Sequence, residues 1–210
     1  MAEINITDKL SILNYGIGTQ HRLASLNEVV SDIVKEKDYS DIQNLYDTMI
    51  ELMSLEDGGS QVYADALING IREELLRIRV ELLKEGKLYS ELRNTNELYL
   101  SQLVAEIKDA EAFLSDKSNK KKGISDTMSL NQLRARVLEM RTSRTVGEAL
   151  SNQLSLYEKN SASLADKISS VTNTLMPLWE SGVALSINKA STQKAFKMLK
   201  ALVNDSVKKM

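Results

Sequence analysis

The chain is 210 residues long and carries 27 Lys and Arg against 29 Asp and Glu, a formal charge of −2, with 42% hydrophobic residues, nine glycines, one proline and no cysteine. Average proteins hold about 5% Pro and 7% Gly, so turn residues are too scarce here for sandwiches, barrels or doubly wound sheets. Lack of cysteine excludes disulfides, thiolate nucleophiles, Cys-ligated zinc and iron–sulfur clusters; the single histidine, His21, excludes a His-rich metal site, and the near-neutral charge gives no global attraction for nucleic acid.

The first residues, MAEINITDKL, lack the basic and apolar stretches of a secretory signal, and no run of about 18 apolar residues is long enough to span a bilayer. A cytoplasmic protein is expected. Thr7 or Ser11 can cap a first helix whose apolar positions Leu10, Leu13, Ile17, Leu23, Leu26, Val30 and Val34 recur at helical spacing. Gly16 and Gly18 weaken its first turns by about 1 kcal/mol each relative to Ala, which predicts a flexible or kinked start. A second helix opens at Ser40 or Asp41 and runs through Ile42, Leu45, Tyr46, Met49 and Leu52. Gly58-Gly59, within Glu56 to Ser60, is the clearest break.

From Val62 to about Leu114, apolar residues including Leu67, Ile71, Leu75, Ile78, Leu82, Tyr89, Leu103, Ile107 and Ala110 fall mostly at steps of three and four. Such spacing is close to a coiled-coil seam, with Gly86 and Asn96 as places to bend. The polar stretch SDKSNKKKG, Ser115 to Gly123, predicts a chain reversal. A second stripe follows through Leu130, Leu133, Val137, Met140, Leu150, Leu154, Leu164, Ile168, Val171 and Leu175. Pro177 either kinks this return helix or starts a last one, since it has no N–H for the helical ladder. The expected fold is therefore all-α: an elongated antiparallel helical bundle with long coiled-coil-like helices. It comprises an N-terminal helical hairpin over 1–57 and a long-helix hairpin with a kinked C-terminal helix over 61–210, in one continuous domain.

Eleven carboxylates and four cations leave residues 1–60 at about −7, while residues 183–210 hold six lysines against Asp205, about +5. The two ends attract each other, or the basic tail meets an anionic partner or membrane surface.

Three stretches carry a further pattern. The first is Ile12-Leu13-Asn14-Tyr15-Gly16 with Gln20 and Lys37-Asp38, and the second is Glu74-Leu75-Leu76 with Leu82 and Tyr89. The third comprises Leu133, Arg136, Leu138, Arg141, Ser143 and Arg144, then Gln153, Asn160, Lys167-Ile168 and the Pro177-Leu178-Trp179 motif. Taken in this order the three resemble the toxic anion resistance (TelA, tellurite resistance) family, whose members are usually longer and carry a basic segment where this chain has Gly58-Gly59. The resemblance implies a cytoplasmic bacterial protein linked to tolerance of tellurite or other toxic anions and to envelope stress, for which no catalytic mechanism is established; the residues themselves point to no cofactor. It would act through a protein partner, self-association or the inner membrane surface.

A tellurite oxyanion would need convergent guanidinium donors. Arg134 and Arg141, seven apart on one helix face, are candidate anion or partner contacts with Arg144, and Arg72 and Arg79 are similarly spaced. The competing expectation is that these arginines pair with glutamates along solvated helix flanks, each pair worth about 0.3–0.5 kcal/mol. Lys117, Lys120, Lys121 and Lys122 are candidate contacts for lipid or another anionic surface, against a solvated turn. Trp179 beside Pro177 is expected to fill the gap at a kink. Gly16-Ile17-Gly18 lacks the third glycine and preceding strand of a dinucleotide loop. Glu106, Asp109 and Glu111 lack the Glu-x-x-His partner of a di-metal bundle site. These features favour a non-enzymatic protein; the alternative is a structural coiled-coil adaptor or tether without an anion-related role.

Overall fold

A computed structural model describes residues 9–36, 44, 45, 47, 48, 61–116 and 124–184, all helical apart from short connections. The elements in chain order are α1 (Lys9–Asn14), α2 (Ile17–Lys35), α3 (Gln61–Ser115), α4 (Ile124–Ser170), a π-helical turn (Val171–Leu175) and α5 (Met176–Ala184). The molecule is an all-α antiparallel bundle with no strand among the described residues. None of the described helices is long and apolar enough to cross a membrane. The chain divides into two compact units, one holding Met1–Glu36 and Tyr89–Ser155, the other Lys37–Leu88 and Leu156–Met210. The double-glycine break at Gly58-Gly59 and the lysine-rich segment 117–123 lie outside the described residues.

The first unit is built from α1, α2 and portions of both long helices. Leu103, Ile107 and Ala110 on α3, and Leu133, Val137 and Met140 on α4, repeat at steps of four and three; each set therefore forms a stripe along its helix. Ile12, Tyr15 and Leu23 complete the cluster from the N-terminal helices, with Tyr99, Leu100, Phe113 and Leu114 packed around it. Fully burying one such aliphatic side chain contributes about 1.5–3 kcal/mol, so this shared core outweighs local helix propensity. One buried polar contact joins α3 to α4 at Asn96 and the Gly147 backbone. The Asn96 amide donates to the Gly147 carbonyl at 2.8 Å and to Ser151 Oγ at 3.1 Å. Gly147 has no side chain because Leu100 Cδ2 would lie 2.7 Å from its Cβ and Leu23 Cδ2 3.3 Å. An asparagine seated against one particular carbonyl fixes the register of two otherwise repetitive helices.

In the second unit Ile68, Ile71, Leu75 and Ile78 on α3 are buried, as are Ala165, Ile168, Val171 and Met176 on the return segment. Gly86 faces Ser161 Cβ and the Glu158 carbonyl at ordinary van der Waals separations of 3.7 and 3.8 Å. Arg72 on α3 forms an ion pair with Glu180 on α5. Pro177 sits in the first turn of α5, immediately after the π turn, where the Met176 N–H reaches back to the Val171 carbonyl. That wide turn absorbs the helix interruption at the one residue with no N–H to give and with a ring that crowds the preceding turn.

α3 runs unbroken through both Gly86 and Asn96. The first predicted helix instead divides into α1 and α2, because Gly16 adopts a left-handed φ of +70°. A sequence period identifies residues that share a helical face but does not reveal one backbone dihedral of the opposite sign.

Candidate functional site

The densest side-chain network among the described residues surrounds the α1–α2 break. Tyr15 ends α1 with its N–H on the Ile12 carbonyl at 3.3 Å, and the Gly16 carbonyl then accepts the Gln20 N–H at 3.1 Å as α2 begins. Only glycine takes the left-handed conformation at little cost, and a Cβ at this position would collide with Met140 Sδ and lie 3.3 Å from Glu106 Oε2. The close approach brings the break onto α3 and α4.

Arg136 on α4 is the hub. Its side chain is only 11% exposed. Nε donates to the Tyr15 carbonyl at 2.8 Å, Nη2 donates to Gln20 Oε1, and Nη1 pairs with Glu139 Oε2 at 2.5 Å. Gln20 then donates from Nε2 to Ser143 Oγ at 2.6 Å. The guanidinium thus holds a carbonyl at the C-terminal end of α1, where the helix dipole places partial negative charge and the backbone lacks an intrahelical donor. On the other side Tyr15 Oη donates to the Glu106 carbonyl at 3.1 Å, and Thr19 Oγ1 donates to Glu106 Oε1 at 2.9 Å. Glu106 Oε2 is buried without a hydrogen-bond partner. Burial raises the Tyr15 hydroxyl to about 12, with Asp109 and then Glu106 adding in the same direction by opposing a phenolate.

Of the arginines singled out from the sequence, Arg72, Arg134, Arg141 and Arg144 are engaged, whereas Arg79 Nε is buried without a hydrogen-bond partner. Arg141 reaches Glu111 on α3 at 2.5 Å, Arg144 pairs with Glu148 at 2.7 Å, and Arg134 donates to Asn131 Oδ1 at 2.7 Å. Arg72 is held by Glu180, and Arg77 bridges Glu74 and Glu81. Pairing with a glutamate is therefore observed for Arg72, Arg141 and Arg144, while Arg134 bonds an asparagine instead. His21 is exposed on α2. Pro177 and Leu178 are exposed near the start of α5, while the Trp179 side chain lies outside the described residues, as do Lys117, Lys120, Lys121 and Lys122. Among the described residues no group of three or more His, Asp or Glu is placed to hold a metal ion.

Arg136 is not legible as a hub from the sequence because its spacing resembles that of its neighbours. The available signal was indirect: Tyr15, Gly16, Gln20, Arg136 and Ser143 all belong to the stretches singled out in the sequence, and they meet at one place. No family model matches the chain, and no curated protein or solved structure is detectably similar to it.

Proposed function

We propose that the chain is a non-enzymatic helical-bundle protein of the toxic anion resistance and envelope-stress type, acting through contacts of its surface with a protein partner or the inner face of the membrane. The observation that supports this reading is the Tyr15–Gly16–Gln20–Arg136–Ser143 network. Its residues are those that carry the resemblance, and they are spent on holding helices together rather than arranged around a reacting atom. A direct anion site receives less support, since Arg134, Arg141 and Arg144 each already have a partner. The second reading, an adaptor without an anion-related role, draws on the same geometry.

Growth on tellurite separates the two readings. Cells expressing the chain should tolerate more tellurite than cells expressing an Arg136→Leu variant, while titrating tellurite into purified protein should give no saturable heat at micromolar concentration. Equal growth would remove the anion-linked role in favour of the adaptor. A stoichiometric isotherm would replace surface action with direct binding.

A further inference from the structure

α1 and α2 are two helices cut from one pattern. Ile12 and Tyr15 on α1 and Thr19, Leu23, Leu26 and Val30 on α2 are all buried, and they follow one another at steps of three, four, four, three and four. That is the stripe of a single straight helix passing through Gly16 without a change of phase. The break is therefore imposed on a sequence whose period continues across it. It leaves α2 starting at Gly16 with no side-chain cap, and it leaves Leu13 and Ile17, four residues apart, exposed on separate helices at 51% and 38%. One continuous helix would give the Ile17 and Gly18 amides the Leu13 and Asn14 carbonyls, and would set Leu13 beside Ile17.

Opposing this is a clamp on one residue. The Tyr15 carbonyl, which a straight helix would offer to the Thr19 N–H, instead accepts from Arg136 Nε at 2.8 Å, and Tyr15 Oη donates to the Glu106 carbonyl at 3.1 Å. We infer that the elbow between α1 and α2 is a two-state switch. In the bent state Arg136 is the latch; in the straight state Gly16 takes right-handed helical dihedrals, and α1 and α2 become one helix from Lys9 to Lys35. Arg136 acts as the latch because its Nε takes the carbonyl that the helical ladder would use. Glycine crosses between the two φ regions at little cost, so residue 16 can serve both states. The inference concerns conformation and stands independently of the anion-linked reading.

Spin labels at Leu13→Cys and Val29→Cys, both exposed positions in a chain without cysteine, report the state of the elbow. The helical rise sets the two positions about 24 Å apart in the straight state, and the bend brings them closer. The labelled full chain should show the shorter distance as its main population. Gly16→Ala, which removes the left-handed option, should move that population to about 24 Å with a narrow distribution. Arg136→Leu keeps Gly16 and removes the latch, and it should raise the long-distance fraction severalfold; if Gly16→Ala fails to fold, this variant decides alone. A short distance retained in both variants would overturn the inference. So would a broad distribution, since α1 would then be undocking rather than joining α2.

Discussion

A methyl group added at Gly16 meets two obstacles at once: the left-handed φ of +70° and the Met140 sulfur packed against the backbone. The conformation alone costs about 1–2 kcal/mol for a residue with a Cβ. Gly16→Ala is therefore expected to lower stability by about 2–3 kcal/mol, read as a drop in the urea midpoint with an unchanged slope. Tyr15 offers a test with a pH signature. Its hydroxyl titrates near 12 in the fold and near 10 in the unfolded chain, so the stabilisation it provides is present below pH 10 and is lost as pH rises toward 12. Tyr15→Phe removes the bond to the Glu106 carbonyl and should cost about 1 kcal/mol at neutral pH. Stability profiles of the two proteins should converge above pH 10; a constant offset up to pH 12 would count against the buried phenol.

At the scale of a helix, glycines with similar sequence settings have different meanings. Gly70 lies in the exposed interior of α3 with nothing within 4 Å of the position of its missing Cβ. Gly70→Ala should therefore raise stability by about 0.8–1 kcal/mol through helix propensity alone, visible as a higher melting temperature. The same change at Gly147 should forfeit that gain, because Leu100 and Leu23 occupy the space. The periodic stripe from Val62 to Leu114 predicts α3 to within a residue at each end, because a long amphipathic pattern leaves the backbone one way to bury it. Contacts between distant helices lack such a repeat. Thus the break near Gly16 was legible as a weakness, whereas the clamp that stabilises it, Arg136 reaching across 121 residues to the Tyr15 carbonyl, was not.

Across the whole sequence opposite charges nearly cancel, and among the described residues ion pairs such as Arg77 with Glu74 and Glu81 and Arg144 with Glu148 lie at exposed helix positions. Such pairs each contribute a few tenths of a kcal/mol and are screened by salt. Raising sodium chloride from 0.1 to 1 M should thus change the unfolding free energy by less than about 1 kcal/mol; a larger loss would mean that charge, not the aliphatic core, holds the bundle. The link between Gln20 and Ser143 spans 123 residues of sequence. During synthesis at about 5–20 residues per second, α2 leaves the ribosome roughly 6–25 seconds before the residue it docks against exists. For most of that interval, until Leu103 and Ile107 are made, Ile12, Tyr15 and Leu23 lack the α3 and α4 surface that covers them. The nascent segment is consequently a natural client for a chaperone, and a pause in translation before Ser143 would prolong its exposure.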